Sequence, residues 1–298
     1  MIERVLRQNR LISEAAIKQK TIQLFETLNV RFGVMIVGPP GGGKTTIYQV
    51  LAEVMNKLHE ARSSDERIKP VKYKVLNPKA ISMGELYGEV NLETQDWQDG
   101  LASKILRKFT QLDIVRKSWC VFDGPVDALW IENMNTVLDD NMMLSLMNGE
   151  RIKLNPAISV VFEVQDLAAA SLATVSRCGM VYVSPQSLPW RAIYYSWLQK
   201  YIEPNQLLNL KQMKFLTEQF ETFVDLIFER TAKFREHEQI STSALQNIQC
   251  TCNFLEYFIN DKKRFDEKDK KPVWSRKLLH YFTYAAVWGF GSAYTEKG

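Results

Sequence analysis

The chain has 298 residues, of which 46% are hydrophobic and 24% charged, a balance that supports a packed core and excludes disorder as the main state. Its 38 basic and 34 acidic residues leave a net charge of +4, too small a surplus to point to a nucleic-acid partner. No apolar run approaches the roughly 18–20 residues that span a bilayer, and Met1-Ile2-Glu3-Arg4 lacks the pattern of a secretory leader, so we expect a soluble chain with no membrane partner.

Residues 1–30 read as helix, because Val5, Leu6, Leu11, Ile12, Ala15, Ile17, Ile22, Phe25 and Leu28 recur at mostly helical spacing. The period then changes. Gly33-Val34-Met35-Ile36-Val37 is a short apolar run closed by Gly38-Pro39-Pro40-Gly41-Gly42-Gly43, the pattern of a buried parallel strand entering a glycine loop. Residues 45–58 are helical again. Further strands are expected at Val71–Leu76, Trp119–Phe122, Ser159–Val164 and Met180–Val183, with helices between most of them, which means an α/β domain with a mainly parallel sheet. After Pro185 and Pro189 only helices are expected, at Leu188–Ile202, Leu207–Phe234, Ser243–Ile259 and Trp274–Tyr294. We place a large α/β domain at 1–187 and a small all-helical domain at 188–298. The mixed-charge run Asp261–Lys271 reads as a solvated loop, and the abrupt finish at Thr295-Glu296-Lys297-Gly298 suggests a piece of a larger protein. Cys120, Cys178, Cys250 and Cys252 have no zinc-ligand spacing and are expected to be reduced thiols.

Gly38-Pro39-Pro40-Gly41-Gly42-Gly43-Lys44-Thr45 satisfies G-x-x-x-x-G-K-[ST] at every fixed position. The glycines let successive N–H groups curl around a phosphate. Lys44 supplies a point charge to the outer phosphates, the Thr45 hydroxyl can ligate Mg²⁺, and the helix that follows, with Thr46 in its first turn, turns its positive end to the anion. Asp123 closes the apolar run Trp119-Cys120-Val121-Phe122, as a Walker B aspartate does, and would reach Mg²⁺ through water. The next residue in a hydrolysing AAA+ ATPase is usually a glutamate that orients water. Here it is Gly124, which accepts no proton. Asp127 and Glu132 lie several residues past the strand and are discounted as substitutes.

The run Phe122-Asp123-Gly124-Pro125-Val126-Asp127-Ala128-Leu129-Trp130-Ile131-Glu132-Asn133-Met134-Asn135, with Leu76-Asn77-Pro78, Leu86-Tyr87-Gly88, Asn148-Gly149-Glu150-Arg151, Phe162-Glu163-Val164-Gln165-Asp166-Leu167 and Ala173-Thr174-Val175-Ser176-Arg177-Cys178, resembles the second AAA+ module of a dynein heavy chain. The resemblance covers roughly residues 25–190 in order, the helical remainder more loosely. The Gly-Pro-Val-Asp wording and the triple glycine favour an axonemal chain.

The resemblance implies a P-loop AAA+ large domain with a small helical lid, set in a ring motor whose first module does the main hydrolysis while this one holds ATP or ADP with Mg²⁺ and turns it over little. Its implied partners are adjacent modules of the same chain, the motor's linker and, through the whole motor only, a microtubule. Its implied location is the cytoplasmic cytoskeleton, as a cilium or flagellum axoneme. Arg177 falls at the arginine-finger position, reaching the nucleotide of the preceding module. Glu163 stands where such proteins often carry an Asn that senses the γ-phosphate, with Gln165 a second candidate. Asn29, Val30 and Arg31 are implied near the adenine, and Arg191 is the candidate lid residue for the γ-phosphate. Hairpin insertions are implied at Ile81–Gly100 and around Asn148-Gly149, the latter a favoured two-residue turn. Two other classes stay open: an active AAA+ ATPase with a displaced catalytic acid, and an unrelated P-loop kinase or transferase.

Overall fold

The computed structural model describes residues 1–184, 188–261 and 270–295. Most of the expected solvated loop, at 262–269, and the last residues, 296–298, lie outside the described residues. The chain divides into two compact units, Met1–Val5 with Ala15–Ser187, and Leu6–Glu14 with Leu188–Gly298. The segment Leu6–Glu14 thus groups with the helical unit, not with the sheet that follows it in sequence.

The chain opens with α1 (Ile2–Gln8) and α2 (Ala15–Val30), so the continuous helix expected over 1–30 is broken. Arg10 takes a left-handed φ of 55°. Leu11 N–H donates to Leu6 C=O and Arg10 N–H to Arg7 C=O, the two bonds of a Schellman ending. Apolar spacing carries no signal for such a stop when the left-handed residue is not glycine.

There follow β1 (Gly33–Val37), α3 (Lys44–Glu60), β2 (Val71–Leu76), α4 (Met83–Tyr87), β3 (Gly88–Val90), β4 (Trp97–Asp99), α5 (Leu101–Thr110), β5 (Lys117–Asp123), α6 (Ala128–Ile131), α7 (Asn135–Leu138), β6 (Met143–Ser145), β7 (Arg151–Lys153), β8 (Ile158–Val164), α8 (Leu172–Arg177) and β9 (Gly179–Tyr182). Among the described residues five strands form one parallel sheet, in the order β2-β5-β8-β1-β9. Every residue of β1 and β8 is buried, which is why both read as apolar runs, interrupted in β8 by Ser159 and Glu163. Parallel pairing brings the carboxyl ends of all five strands to one edge, where ligands of open α/β sheets sit. The last turns of β5 and β8 are held there by aromatic packing: Phe122 stacks on Trp130 and on Phe162, with centroids 5.5 Å apart in each pair, contacts worth roughly 0.5–1.5 kcal/mol each beyond burial.

Strands β3–β4 and β6–β7 form two antiparallel hairpins. The first is shorter than the expected Ile81–Gly100. Ser82 and Glu85 make a capping box, with Glu85 N–H donating to Ser82 Oγ at 3.2 Å and Ser82 N–H to Glu85 Oε2 at 2.8 Å, and so start a helix. In the second, Gly149 N–H donates to Leu146 C=O and Leu146 N–H to Glu150 C=O. The turn is therefore the three residues Met147-Asn148-Gly149, with Gly149 at φ 84°, and not a two-residue turn on Asn148-Gly149. This is a type I turn closed by a left-handed glycine.

The helical unit contains α9 (Trp190–Trp197), which runs into a π-helical turn at Leu198–Ile202, then α10 (Leu210–Lys233), α11 (Ala244–Asn260) and α12 (Lys271–Gly291). Asn209 with Gln212 and Ser243 with Gln246 cap the starts of α10 and α11. Its core gathers Tyr194, Phe220, Leu255, Leu278 and Phe282, with the Tyr194 and Phe220 rings stacked at 4.1 Å. The four cysteines are unpaired; burial pushes the thiols of Cys120 and Cys178 up to about 12. Among the described residues no helix is long and apolar enough to cross a membrane.

Candidate nucleotide site

The loop after β1 is held from both sides. Gly38 N–H donates to Val164 C=O at 3.1 Å, and Gly42 N–H donates to Pro39 C=O at 3.2 Å. Gly41 and Gly43 have φ of 76° and 89°, values that L side chains resist. Gly43 is also the N-cap of α3 and offers no side chain to its first turn. The opening amides of that 17-residue helix thus get no cap from Gly43, although the Thr45 N–H also acts on the Glu163 carboxyl, and the helix dipole favours an anion there. Pro39, Pro40, Thr45 and Thr46 are half-buried around this concavity.

Lys44 is 8% exposed, and its Nζ donates to Gly38 C=O at 2.8 Å and Pro39 C=O at 2.9 Å. Burial lowers its pKa, while the charges of Glu163 and Asp123 oppose that shift. The Thr45 hydroxyl donates to Glu163 Oε1 at 2.7 Å. Glu163 is 7% exposed. Its carboxyl is pushed above the usual range by burial, which the Thr45 bond opposes, and further by Asp123. Asp123 and Glu163 are register partners on β5 and β8, and Gly124 N–H donates to Glu163 C=O at 3.2 Å. The parallel sheet therefore sets Lys44, Thr45, Asp123 and Glu163 at one spot. Tyr48, one helical turn after Lys44, joins them: burial raises its phenol most, with Glu163 and Asp123 adding to the shift, and its ring meets Tyr73 edge-on at 5.6 Å.

The donor set fits Mg²⁺, a hard ion that takes oxygen ligands. Thr45, Asp123 and Glu163 supply hydroxyl and carboxylate oxygens, and Glu163 Oε2 is buried without a hydrogen-bond partner. Among the described residues no group of three His, Cys, Asp or Glu is placed to hold a metal by itself. An ion here needs phosphate oxygens and water to complete its shell.

Family comparisons agree with this geometry. The model of the AAA domain of the dynein-related subfamily matches residues 33–178, that of the hydrolytic ATP binding site of the dynein motor region matches residues 1–45, and that of the dynein heavy chain AAA lid domain matches residues 216–298. Human dynein axonemal heavy chain 6 is 42% identical over 294 residues, and mouse dynein axonemal heavy chain 1 is 40% identical over 303, each alignment covering 98% of this chain. The chain is an AAA module of the dynein heavy-chain family. It spans only 7% of the length of either relative. The crystal structure of NtrX from Brucella abortus shares the fold, with a TM-score of 0.51 at 14% identity over 88% of this chain and 54% of that one.

In this dynein module the remaining candidate residues fall into three groups. The discounted carboxylates are engaged elsewhere or exposed. Asp127 caps α6, accepting from Leu129 N–H at 2.9 Å, and is ion-paired with Lys79, whereas Glu132 is exposed. Gln165 lies past the end of β8 and is exposed. Arg177 ends α8, but it does not extend freely as a finger: Nε donates to Asp139 and Nη1 to Ala173 C=O at 3.0 Å. Asp139 was not anticipated, because only the fold brings α7 beside α8.

Val30 and Arg31 are not brought to the phosphate loop. They precede β1, and the Arg31 stem lies against Gly179, whose added Cβ would come within 3.2 Å of Arg31 Cγ; this is the amino end of the strands, opposite the loop. Asn29 donates to Phe25 C=O, within its own helix. It is the start of α2 that approaches the loop, since a Cβ on Gly43 would lie 3.0 Å from Ile17 Cδ1. Within the helical unit, Arg191 sits 4.4 Å from the Trp190 ring centroid and pairs with Glu221 and Asp225, so two carboxylates already hold its guanidinium.

Proposed function

We propose that this chain is the second AAA+ module of an axonemal dynein heavy chain, that it holds ATP with Mg²⁺ and hydrolyses it little, and that its Arg177 serves the nucleotide of the preceding module. The observation that carries the reading is Gly124. It follows Asp123 at the strand end, where a water-orienting carboxylate would be needed, and Asp127 is occupied as a helix cap and ion pair. A side chain there is also crowded, since a Cβ on Gly124 would lie 2.9 Å from Asn77 Oδ1 and 3.3 Å from Pro78 Cδ. Without a group to orient water, turnover falls by orders of magnitude.

The phosphates would be bound by the loop amides and the start of α3, with Lys44 as the mobile charge. Mg²⁺, when bound, would neutralise phosphate charge, with Thr45 and Asp123 as its nearest protein oxygens. ADP would occupy the same cradle. The two hairpins carry exposed apolar residues in their turns, Leu92 at 89% and Met147 at 91% exposure, which suits a role against the motor's linker. Movement on microtubules, in the axoneme, would belong to the whole motor. The test is a single-turnover assay with ATP and Mg²⁺: bound ATP should persist, and denaturing freshly purified protein should release adenine nucleotide. Rapid phosphate release that stops on mutating Asp127 or Glu132 would favour the active enzyme with a displaced acid.

A further inference from the structure

The loop amides, Lys44, Thr45 and Asp123 account for holding ATP and Mg²⁺, yet Glu163 lies at the centre of the site. It is the one charged residue on a wholly buried strand whose other residues are apolar save Ser159. Two carboxylates, Asp123 and Glu163, stand on adjacent strands, about 4.8 Å apart in sheet spacing, beside one ammonium, Lys44. A polyphosphate adds further negative charge to the same spot. Glu163 and Lys44 are buried whereas Asp123 is exposed at the strand end, so it is the repulsion between Glu163 and phosphate that is weakly screened, and a cation between them relieves it.

The hydrogen bonding indicates how that cation would be held. A threonine hydroxyl has one proton and two lone pairs. Thr45 gives its proton to Glu163 Oε1 at 2.7 Å, which leaves the oxygen's lone pairs for a metal and fixes the side chain. Such outer carboxylates orient the groups that touch a metal. Independently, Glu163 Oε2 is buried and without a partner. A buried acceptor left unsatisfied is costly, and water in a metal's shell is a donor that would satisfy it.

We propose that Glu163 is a metal-positioning carboxylate that makes nucleotide binding depend on Mg²⁺: Oε1 holds the Thr45 hydroxyl with its lone pairs toward the ion, and Oε2 accepts from the ion's hydration shell. The proposal rests on the ATP-holding reading and adds to it a residue that couples the two ligands.

The experiment titrates the full 298-residue chain with a fluorescent ATP analogue, once in Mg²⁺ and once in EDTA. The parent should bind far more tightly in Mg²⁺. In Glu163→Gln the ratio of the two affinities should shrink by about 10–100-fold, the usual effect of removing an outer-shell partner, and part of the change should be tighter binding in EDTA, because a repelling charge is gone. Glu163→Asp, which keeps the charge on a shorter stem, should retain more of the ratio than Glu163→Gln. An unchanged ratio in Glu163→Gln overturns the proposal, as does equal weakening in both buffers, the mark of a merely structural residue. A parent whose affinity changes by less than about tenfold between the buffers overturns it whatever the variants do, including where they fail to fold. A parent that binds no nucleotide even in Mg²⁺ instead removes the ATP-holding reading on which the proposal rests.

Discussion

Lys44 and Arg177 are both cations with carboxylates close by, and they differ in almost everything else. Lys44 is buried, held by two carbonyls of its own loop, and flanked by Glu163 and Asp123 at the carboxyl edge of the sheet. Arg177 ends a helix of six residues, its side chain one-third exposed, and is tied to Asp139, itself about one-third exposed. Burial makes the first arrangement a fixed receptacle for anions, because weak screening magnifies each charge. Partial exposure makes the second a loose pair, in the class worth about 0–1 kcal/mol. A loose pair is what a residue needs if it is to leave its own module and serve another.

The largest effect expected from this contrast lies outside the chain itself. Arg177→Ala in the intact heavy chain should slow hydrolysis at the preceding module by about 10³–10⁵, the range for arginine fingers, and cripple ATP-driven microtubule gliding. Gliding at parental speed would remove the finger role. In the isolated chain the same substitution should leave nucleotide affinity untouched; a loss there would make Arg177 part of this module's own site.

Next in size is Lys44→Ala. Losing a buried cation with charge-assisted contacts costs about 1.5–3 kcal/mol, roughly 10–100-fold in affinity, read by nucleotide titration in Mg²⁺. Equal affinity in variant and parent would show that the glycine loop is not the phosphate site.

Smaller still is Asp139→Asn. Removing half of an exposed pair should change unfolding free energy by about 0–1 kcal/mol in denaturant melts and leave nucleotide affinity as it was. A much larger loss would mean that the Arg177 tether is a structural brace, at odds with a mobile finger.

The smallest effect concerns the cluster in which Arg107 reaches Asp99 with Nε at 2.9 Å and Glu150 with Nη1 at 2.6 Å, joining the base of one hairpin to the turn of the other. Burial pushes the Asp99 carboxyl up, but Arg107 and Trp97 outweigh it and hold it below the usual range; Arg107 does the same for Glu150. Carboxyls depressed in the folded state contribute stability above their unfolded pKa, near about 4, and lose it as pH falls through the folded values. Thermal melts below about pH 4 should therefore show a shallower loss of stability in Arg107→Ala than in the parent. Parallel curves would mean that the cluster contributes nothing, as many exposed pairs do.

These contrasts show where sequence pattern sufficed. The phosphate loop was legible residue by residue, because its chemistry lies in contiguous glycines, one lysine and one threonine. The central strands were legible because buried parallel strands are mostly apolar runs, which Asp123 and Glu163 end or interrupt conspicuously, and edge strand β2 through the apolar residues around its two lysines. The break at Arg10 was not, since a left-handed turn on a non-glycine residue leaves no trace in apolar spacing. The helix start at Ser82 was written in the Ser82-x-x-Glu85 spacing of a capping box, but the hairpin expected over the same residues masked it.

The sequence by itself determined the glycine loop and its lysine and threonine, the five strands of the parallel sheet, and the lack of an acid after Asp123, because each depends on neighbours in the chain. Only the tertiary structure decided that Glu163 takes the Thr45 hydroxyl, that Asp139 restrains Arg177, and that Ile17 lies beside the loop. Thr45 and Glu163 are 118 positions apart, and Arg177 and Asp139 are 38. Contacts of that separation are set by the parallel pairing of β1, β5 and β8 and by how α2, α7 and α8 pack beside them, and local periodicity holds no record of them.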